Sequence, residues 1–147
     1  VGYVAAPAEI IAAMTKVHQY TMMSAPTVSQ EAAVEALRNG ESDVQTMLEA
    51  YRQRRRLLVE GLRHMGLPCV DPGGAFYAFP SIAPTGMTSE EFAEKLLVEE
   101  KVAVVPGSVF GESGEGFVRC CYAASTEDLE EALERMGRFV SRHRKGT

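Results

Sequence analysis

Residues 102–123 read VAVVPGSVFGESGEGFVRCCYA, and they carry the most informative pattern of the chain. Two apolar runs, 102–105 and 117–122, flank a glycine-rich stretch that opens with a Pro-Gly pair. This pattern predicts a strand, a turn and a second strand. Because successive side chains of a strand point to opposite faces, Arg119 should lie on the face opposite Val118 and Cys120.

Arg119 is the one charged residue in the second apolar run. A guanidinium that is buried in a strand needs an anionic partner. Its planar fork suits a carboxylate that is held through two parallel hydrogen bonds. The pattern alone leaves two interpretations open: Arg119 is an exposed or ion-paired structural residue, or it binds the carboxylate of a ligand.

The residues VVPGSVFGESGEGFVRCCYA resemble the C-terminal segment of class I/II aminotransferases, which are pyridoxal-phosphate (PLP) enzymes of the aspartate aminotransferase fold, fold type I. In that family an arginine just before an (S/C)YA triplet binds the substrate α-carboxylate, and Arg119 matches that place. Residues 73–80, GGAFYAFP, are similar to the family's (S/G)GAFY loop, which borders the substrate pocket. The resemblance therefore implies that Arg119 and Phe76 bind substrate.

The resemblance covers nearly the whole chain. Residues 18–37, HQYTMMSAPTVSQEAAVEAL, are most similar to the subgroup that acts on aromatic or diaminopimelate-type substrates. The implied function is transfer of an amino group from an L-amino acid to a 2-oxo acid in amino acid metabolism and biosynthesis. The family also implies PLP as the cofactor and a homodimer as the assembly.

The family's Schiff-base lysine stands in a Ser-x-x-Lys context, and none of the lysines here has that context: Lys16, Lys95, Lys101 and Lys145. In the family, that lysine and an arginine for the cofactor phosphate precede the strand that residues 1–7 resemble. We therefore expect the chain to be the C-terminal part of a longer enzyme. Alone, it should hold no catalytic residue, bind no PLP and have no activity.

Composition excludes several other classes of function. The 147 residues suffice for a sizeable core, and the net charge of −5 gives no reason to expect nucleic acid or an anionic membrane. No apolar run reaches transmembrane length. The three cysteines are an odd number, which argues against a disulfide framework and favours a cytoplasmic protein. The histidines are scattered, so no metal site is expected.

Hydrophobic periodicity and helix-end signals give the remaining elements. Helices are predicted over residues 8–20, 27–39, 42–65, 89–98 and 126–143. Strands are predicted over residues 1–6, 69–70, 75–79, 102–105 and 117–122.

Together these elements predict an α+β fold with a small mixed sheet of about 3–4 strands, covered by helices. The resemblance implies the C-terminal small domain of fold type I enzymes over residues 41–147. Residues 1–40 would be a remnant of the large PLP-binding domain. A freestanding α+β module for binding, regulation or oligomerisation, without catalysis, is the alternative. Arg119 and the opening strand favour the aminotransferase, because such a module needs neither.

Overall fold

The computed structural model describes residues 1–144, and these form five α-helices and three short strands. The helices are α1 (Ala8–Thr21), α2 (Thr27–Asn39), α3 (Glu41–His64), α4 (Ser89–Glu100) and α5 (Thr126–His143). The strands are β1 (Tyr77–Ala78), β2 (Val105–Pro106) and β3 (Val118–Cys121). Short 3-10 turns lie at Ala83–Thr85, Gly107–Phe110 and Glu112–Gly114. Within this described part, no helix is both long and apolar enough to cross a membrane.

The chain divides into two compact units, Val1–Met47 and Leu48–Thr147, with the division inside α3. The sequence analysis instead placed a domain boundary at residues 40 and 41, in the turn before α3. The assignment of the first residues to a large PLP-binding domain stays a prediction.

The first unit has helices without a core of their own. Neither α1 nor α2 buries a single residue, and the apolar stripe of α1, which includes Ile10, Met14 and Val17, is exposed. The predicted strand over residues 1–6 is wrong for this structure, because these residues are exposed and pair with no described strand. A strand needs a neighbour for its backbone hydrogen bonds.

The second unit is built on an antiparallel sheet with the strand order β1-β3-β2. Tyr77 pairs with Cys121 on one side of β3, and Val105 pairs with Arg119 on the other. The expected α+β fold with a small sheet is therefore present, but both pairings are antiparallel and the sheet is not mixed. The sheet contains no parallel pair because β1 and β2 both pair with the central strand β3 and both run opposite to it.

The predicted strand at residues 69–70 does not form. The carbonyl oxygen of Cys69 accepts two hydrogen bonds from the Arg63 guanidinium, at 2.9 Å from Nε and 2.7 Å from a terminal nitrogen. A carbonyl that is occupied in this way is not available to a sheet ladder. This segment therefore connects α3 to β1 without pairing.

The core lies on the inner face of the sheet, under α3, α4 and α5. Val118, Cys120 and Tyr122 alternate along β3 and are at most 5% exposed, as the strand pattern predicted. The helices bury Leu62, Phe92 and Phe139 against them, among other apolar residues. The opposite face of β3, which we call the outer face, carries Arg119.

Helix-end interactions fix the two helices that follow the strands. Thr88 and Glu91 form a reciprocal capping box at the start of α4, and Ser125 accepts a hydrogen bond from the Asp128 N–H at the start of α5. At its other end, α4 presents the buried Glu100 to Arg138 and Arg142 of α5, at 3.0 and 2.6 Å. The ion pairs join the C-terminal end of α4 to α5.

Candidate functional site

Arg119 stands on the outer face of β3 and lies against two aromatic rings. Its Cζ atom is 4.2 Å from the centroid of the Tyr77 ring and 4.9 Å from that of the Phe110 ring. A cation over an aromatic face is attracted by the ring quadrupole, and each such contact is worth about 0.5–2 kcal/mol. The side chain is half-buried, so the guanidinium is reachable from solvent.

No anion of the described chain neutralises this guanidinium. Within residues 1–144, Arg119 forms neither an ion pair with a carboxylate nor a hydrogen bond from its side chain. The structural ion pair that the sequence allowed therefore has no partner in that range. A guanidinium carries five N–H donors in its plane, and the two ring contacts occupy none of them. The arrangement can accept a carboxylate from outside.

Tyr77 is held by the sheet. It pairs with Cys121 in β1, and the pleat points it to the same face as Arg119. Its ring also lies 4.6 Å from the Phe76 ring, centroid to centroid. The position of Tyr77 is therefore set by strand register.

Phe110 is held by the glycine-rich loop 107–116. A Cβ atom on Gly107 would lie 2.0 Å from the carbonyl oxygen of Gly114, and one on Gly114 would lie 2.1 Å from that of Gly107. Only glycine allows the two backbones to come so close. The loop is thus pinched at its base, and Phe110 at its tip also meets Phe79 edge to face at 5.9 Å.

A polar contact between the buried Ser89 and the exposed Glu115 fastens the same loop to α4. The Glu115 carboxylate accepts hydrogen bonds from the Ser89 N–H and the Ser89 hydroxyl, both at 2.8 Å. The Ser89 Oγ in turn accepts the Ser108 N–H at 3.3 Å. A carboxylate at a helix N-terminus is favoured by the helix dipole. The Ser89 backbone N–H, and then its hydroxyl, lower the pKa of Glu115 from its ordinary value.

Phe76, the second residue expected to bind substrate, lies beside this group without joining it. It is 40% exposed, and its ring neighbours are Tyr77 and Tyr51, the latter at 6.4 Å. Its carbonyl oxygen accepts the Tyr122 N–H at 2.9 Å. The ring thus borders the candidate site through Tyr77, and its role in substrate binding stays a prediction.

The loop before Phe76 encloses a cleft of about 230 Å³ on the other side of β1. The Tyr122 hydroxyl donates to the Ala75 carbonyl at 2.8 Å, and Arg55 donates to the Pro72 carbonyl at 2.8 Å. Burial raises the pKa of Tyr122. Arg55 and Tyr122 thus hold the loop in place.

Of the two thiols that follow Arg119 in β3, that of Cys121 is free and exposed, on the same face of the strand as Arg119. Its neighbour Cys120 points into the core, and burial raises the pKa of that thiol to about 12, so it is protonated at neutral pH. No cluster of metal-binding side chains occurs in residues 1–144.

The described residues do not fit PLP either. Lys16, Lys95 and Lys101 are all exposed, on α1, on α4 and at its end, and Lys145 lies outside the described residues. The glycine-rich loop does not offer free amides to a phosphate, because the N–H groups of Gly107, Gly111 and Gly114 donate to carbonyls within the loop and β3. The chemistry that this arrangement supports is therefore recognition of a carboxylate.

A family model described as aminotransferase class I and II matches residues 1–136. The chain belongs to this aminotransferase family. A Bacillus subtilis protein with the provisional name of aminotransferase YugH is 61% identical over 139 residues, which are 95% of this chain and 36% of that protein. The aspartate aminotransferase of Pyrococcus abyssi is 50% identical over 141 residues, again 95% and 36% of the two chains.

Solved structures of aminotransferases share the fold. The crystal structure of an aromatic aminotransferase from Pyrococcus horikoshii matches with a TM-score of 0.89 and 48% identity, over 95% of this chain and 38% of that one. This likeness confirms the expected α+β fold as that of the small domain of fold type I aminotransferases. The chain spans about a third of the length of the relatives that it matches.

The structure adds residues that the sequence analysis did not assign to the site. Tyr77 was placed only within the predicted strand 75–79. Phe110, Ser89 and Glu115 carried no signal in the sequence, because their meeting depends on the folded loop.

Proposed function

We propose that this chain is the C-terminal part of a PLP-dependent aminotransferase, in which Arg119 binds the α-carboxylate of the substrate. The whole enzyme would transfer an amino group from an L-amino acid to a 2-oxo acid. One observation carries the proposal. In a chain of the aminotransferase family, the arginine at the family's carboxylate-binding place is reachable, positively charged and without an anionic partner among residues 1–144.

Arg119 would hold both oxygens of the α-carboxylate in the plane of its guanidinium. Two parallel hydrogen bonds fix a direction as well as a position, so the substrate Cα would be held at a defined angle. The rings of Tyr77 and Phe110 lie against the guanidinium and leave its N–H donors free for these two contacts. PLP, when bound to the rest of the enzyme, supplies the electron sink for the reaction.

Substrate class, assembly and location belong to the same proposal. The related proteins are named for aspartate and for aromatic amino acids, which supports an L-amino acid as the donor but does not select one. We further propose a homodimer in the cytoplasm, as the family resemblance and the cysteine content favour. A freestanding binding module is less well supported, since it gives no reason for an unpaired arginine at this place.

Amino transfer can be tested with an isotope. The full-length protein, purified with PLP, is incubated with a 15N-labelled L-amino acid and an unlabelled 2-oxo acid, over a panel of donors and acceptors. We expect the label to pass to the acceptor for at least one pair, and we expect residues 1–147 alone to transfer none. Failure of every pair with the full-length protein would refute the proposed function. Transfer by residues 1–147 alone would refute the expectation that the catalytic lysine and the PLP site lie outside these residues.

A further inference from the structure

The orientation of the Arg119 side chain has an unusual origin. An arginine side chain carries about 2 kcal/mol of rotamer entropy, and polar contacts usually restrict it. Within residues 1–144, however, Arg119 makes no ion pair and no side-chain hydrogen bond. Its guanidinium instead lies over the rings of Tyr77 and Phe110.

We propose that Tyr77 and Phe110 are positioning residues, whose rings hold the Arg119 guanidinium ready for a carboxylate. The inference rests on the proposed function and adds to it how the arginine is held. An acidic residue could also fix the arginine, but its carboxylate would occupy the N–H donors and compete with the substrate. A ring holds the cation through its face and leaves the donors free.

The two rings are held independently of each other. Tyr77 is placed by the β1–β3 register. Phe110 is placed by the loop 107–116, which the close approach of Gly107 and Gly114 pinches at its base. Because the loop is also fastened to α4 through Ser89 and Glu115, it resists opening. The position of the Tyr77 ring therefore depends on the sheet, and that of the Phe110 ring depends on the loop.

The outer face also provides a matched control. Phe117 lies just before β3, two residues from Arg119, and its ring stacks on that of Phe79 at 5.7 Å. It is not one of the two rings that Arg119 contacts. Phe79 lies between Phe117 and Phe110, so Phe117→Leu removes an aromatic ring from the same face without removing either ring that Arg119 contacts.

The first measurement is made on residues 1–147 and needs no activity. In an NMR spectrum of the 15N-labelled chain, the Nε–Hε signal of Arg119 should be displaced by ring currents. In Phe110→Leu and in Tyr77→Leu this signal should move toward the position of a free arginine and show faster side-chain motion. In Phe117→Leu it should stay. An Arg119 signal that is already at the free position in the wild type would overturn the proposal.

The second measurement is made on the full-length enzyme. The readout is the kcat/KM for an amino acid divided by the kcat/KM for the amine that lacks its carboxylate. Loss of one ring should lower this ratio about 3- to 30-fold, Phe110→Tyr and Tyr77→Phe should restore it, and Phe117→Leu should leave it unchanged. A variant that is merely less stable would lose both activities together and keep the ratio.

The outcomes separate the two proposals. If Phe110→Leu and Tyr77→Leu keep the wild-type ratio while Arg119→Lys lowers it, the positioning role is wrong and the proposed function stands. If Arg119→Lys also keeps the ratio, both are wrong. If the ratio falls in both ring variants and the conservative variants restore it, the positioning role is supported.

Discussion

Gly107→Ala should open the loop that carries Phe110. An added Cβ would lie 2.0 Å from the Gly114 carbonyl oxygen and 2.6 Å from that of Phe117. Both obstacles are backbone atoms, so no change of rotamer relieves them. The loop must separate from β3, and the hydrogen bond from the Gly107 N–H to the Phe117 carbonyl, 2.9 Å long, is lost or stretched.

The cost follows from these two effects. Overpacking of a close contact costs about 1–3 kcal/mol, and a lost backbone hydrogen bond adds about 1 kcal/mol. We therefore expect Gly107→Ala to lower the free energy of unfolding of the second unit by about 2–4 kcal/mol. With a typical urea dependence for a small domain, the unfolding midpoint should fall by about 1–2 M.

Gly73→Ala is the matched control. A Cβ at Gly73 would meet no atom within 4 Å, and the residue does not have a left-handed φ. Urea unfolding of residues 1–147, followed by circular dichroism, should give this variant a midpoint close to that of the wild type. If Gly107→Ala and Gly73→Ala unfold within about 0.5 kcal/mol of each other, the pinched loop described above is wrong.

Two further predictions concern α5 and the Ser89–Glu115 contact. Gly137 lies inside α5, and a Cβ there would meet nothing within 4 Å. Gly137→Ala should therefore stabilise the chain by about 0.5–1 kcal/mol, measured by thermal melting. An unchanged or lower melting temperature would contradict this. The pKa of Glu115 is lowered from 4.5 by the Ser89 N–H and hydroxyl, so its stabilising contribution should be complete above about pH 4.5 and disappear as the pH falls through the lowered value. The stability difference between the wild type and Glu115→Gln, measured by melting from about pH 7 to about pH 3, should therefore be largest at neutral pH and shrink in acid; a difference that grows in acid would contradict the assignment.

Much of the helical structure is predictable because local signals determine it. The long stripe of α3 predicted residues 42–65, and the helix runs over Glu41–His64. Gly66 ends it with a φ of +85°, as a glycine just past a helix often does. At α2, Thr27 and Gln30 have the spacing of a capping box. Thr27 nevertheless does not cap the helix, and Gln30 donates to the Ala25 carbonyl at 2.8 Å. That carbonyl competes for the side chain, and a capping-box pattern does not reveal it.

The strands are less predictable, because their extent depends on partners that are distant in sequence. The alternation along β3 is confirmed, since it reflects one buried face. β1 and β2 are only two residues long, against predictions of 75–79 and 102–105. Ala75 has a φ of +57°, which departs from strand geometry just before β1, and such a value depends on the surrounding fold.

In the candidate site, likewise, some residues could be predicted from the sequence and others could not. Arg119 could be found from its place in an apolar strand together with the family resemblance. Tyr77 could not be joined to it, because the sequence did not give the pairing of β1 with β3. Phe110 could not be found, because its ring reaches Arg119 only when Gly107 meets Gly114 and Glu115 meets Ser89. Those contacts form between residues that no local pattern links.

The central claim is that Arg119 binds the substrate α-carboxylate, and Arg119→Lys in the full-length enzyme tests it most directly. The substitution keeps the charge but loses the two-pronged geometry. Loss of the bidentate charged pair, which we expect the full-length enzyme to desolvate, costs about 2–5 kcal/mol, so kcat/KM for amino acids should fall by about 30-fold to several thousand-fold. The kcat/KM for an amine without the carboxylate should hardly change. A folded Arg119→Lys enzyme with a lower melting temperature, but with wild-type kcat/KM for amino acids, would contradict the account.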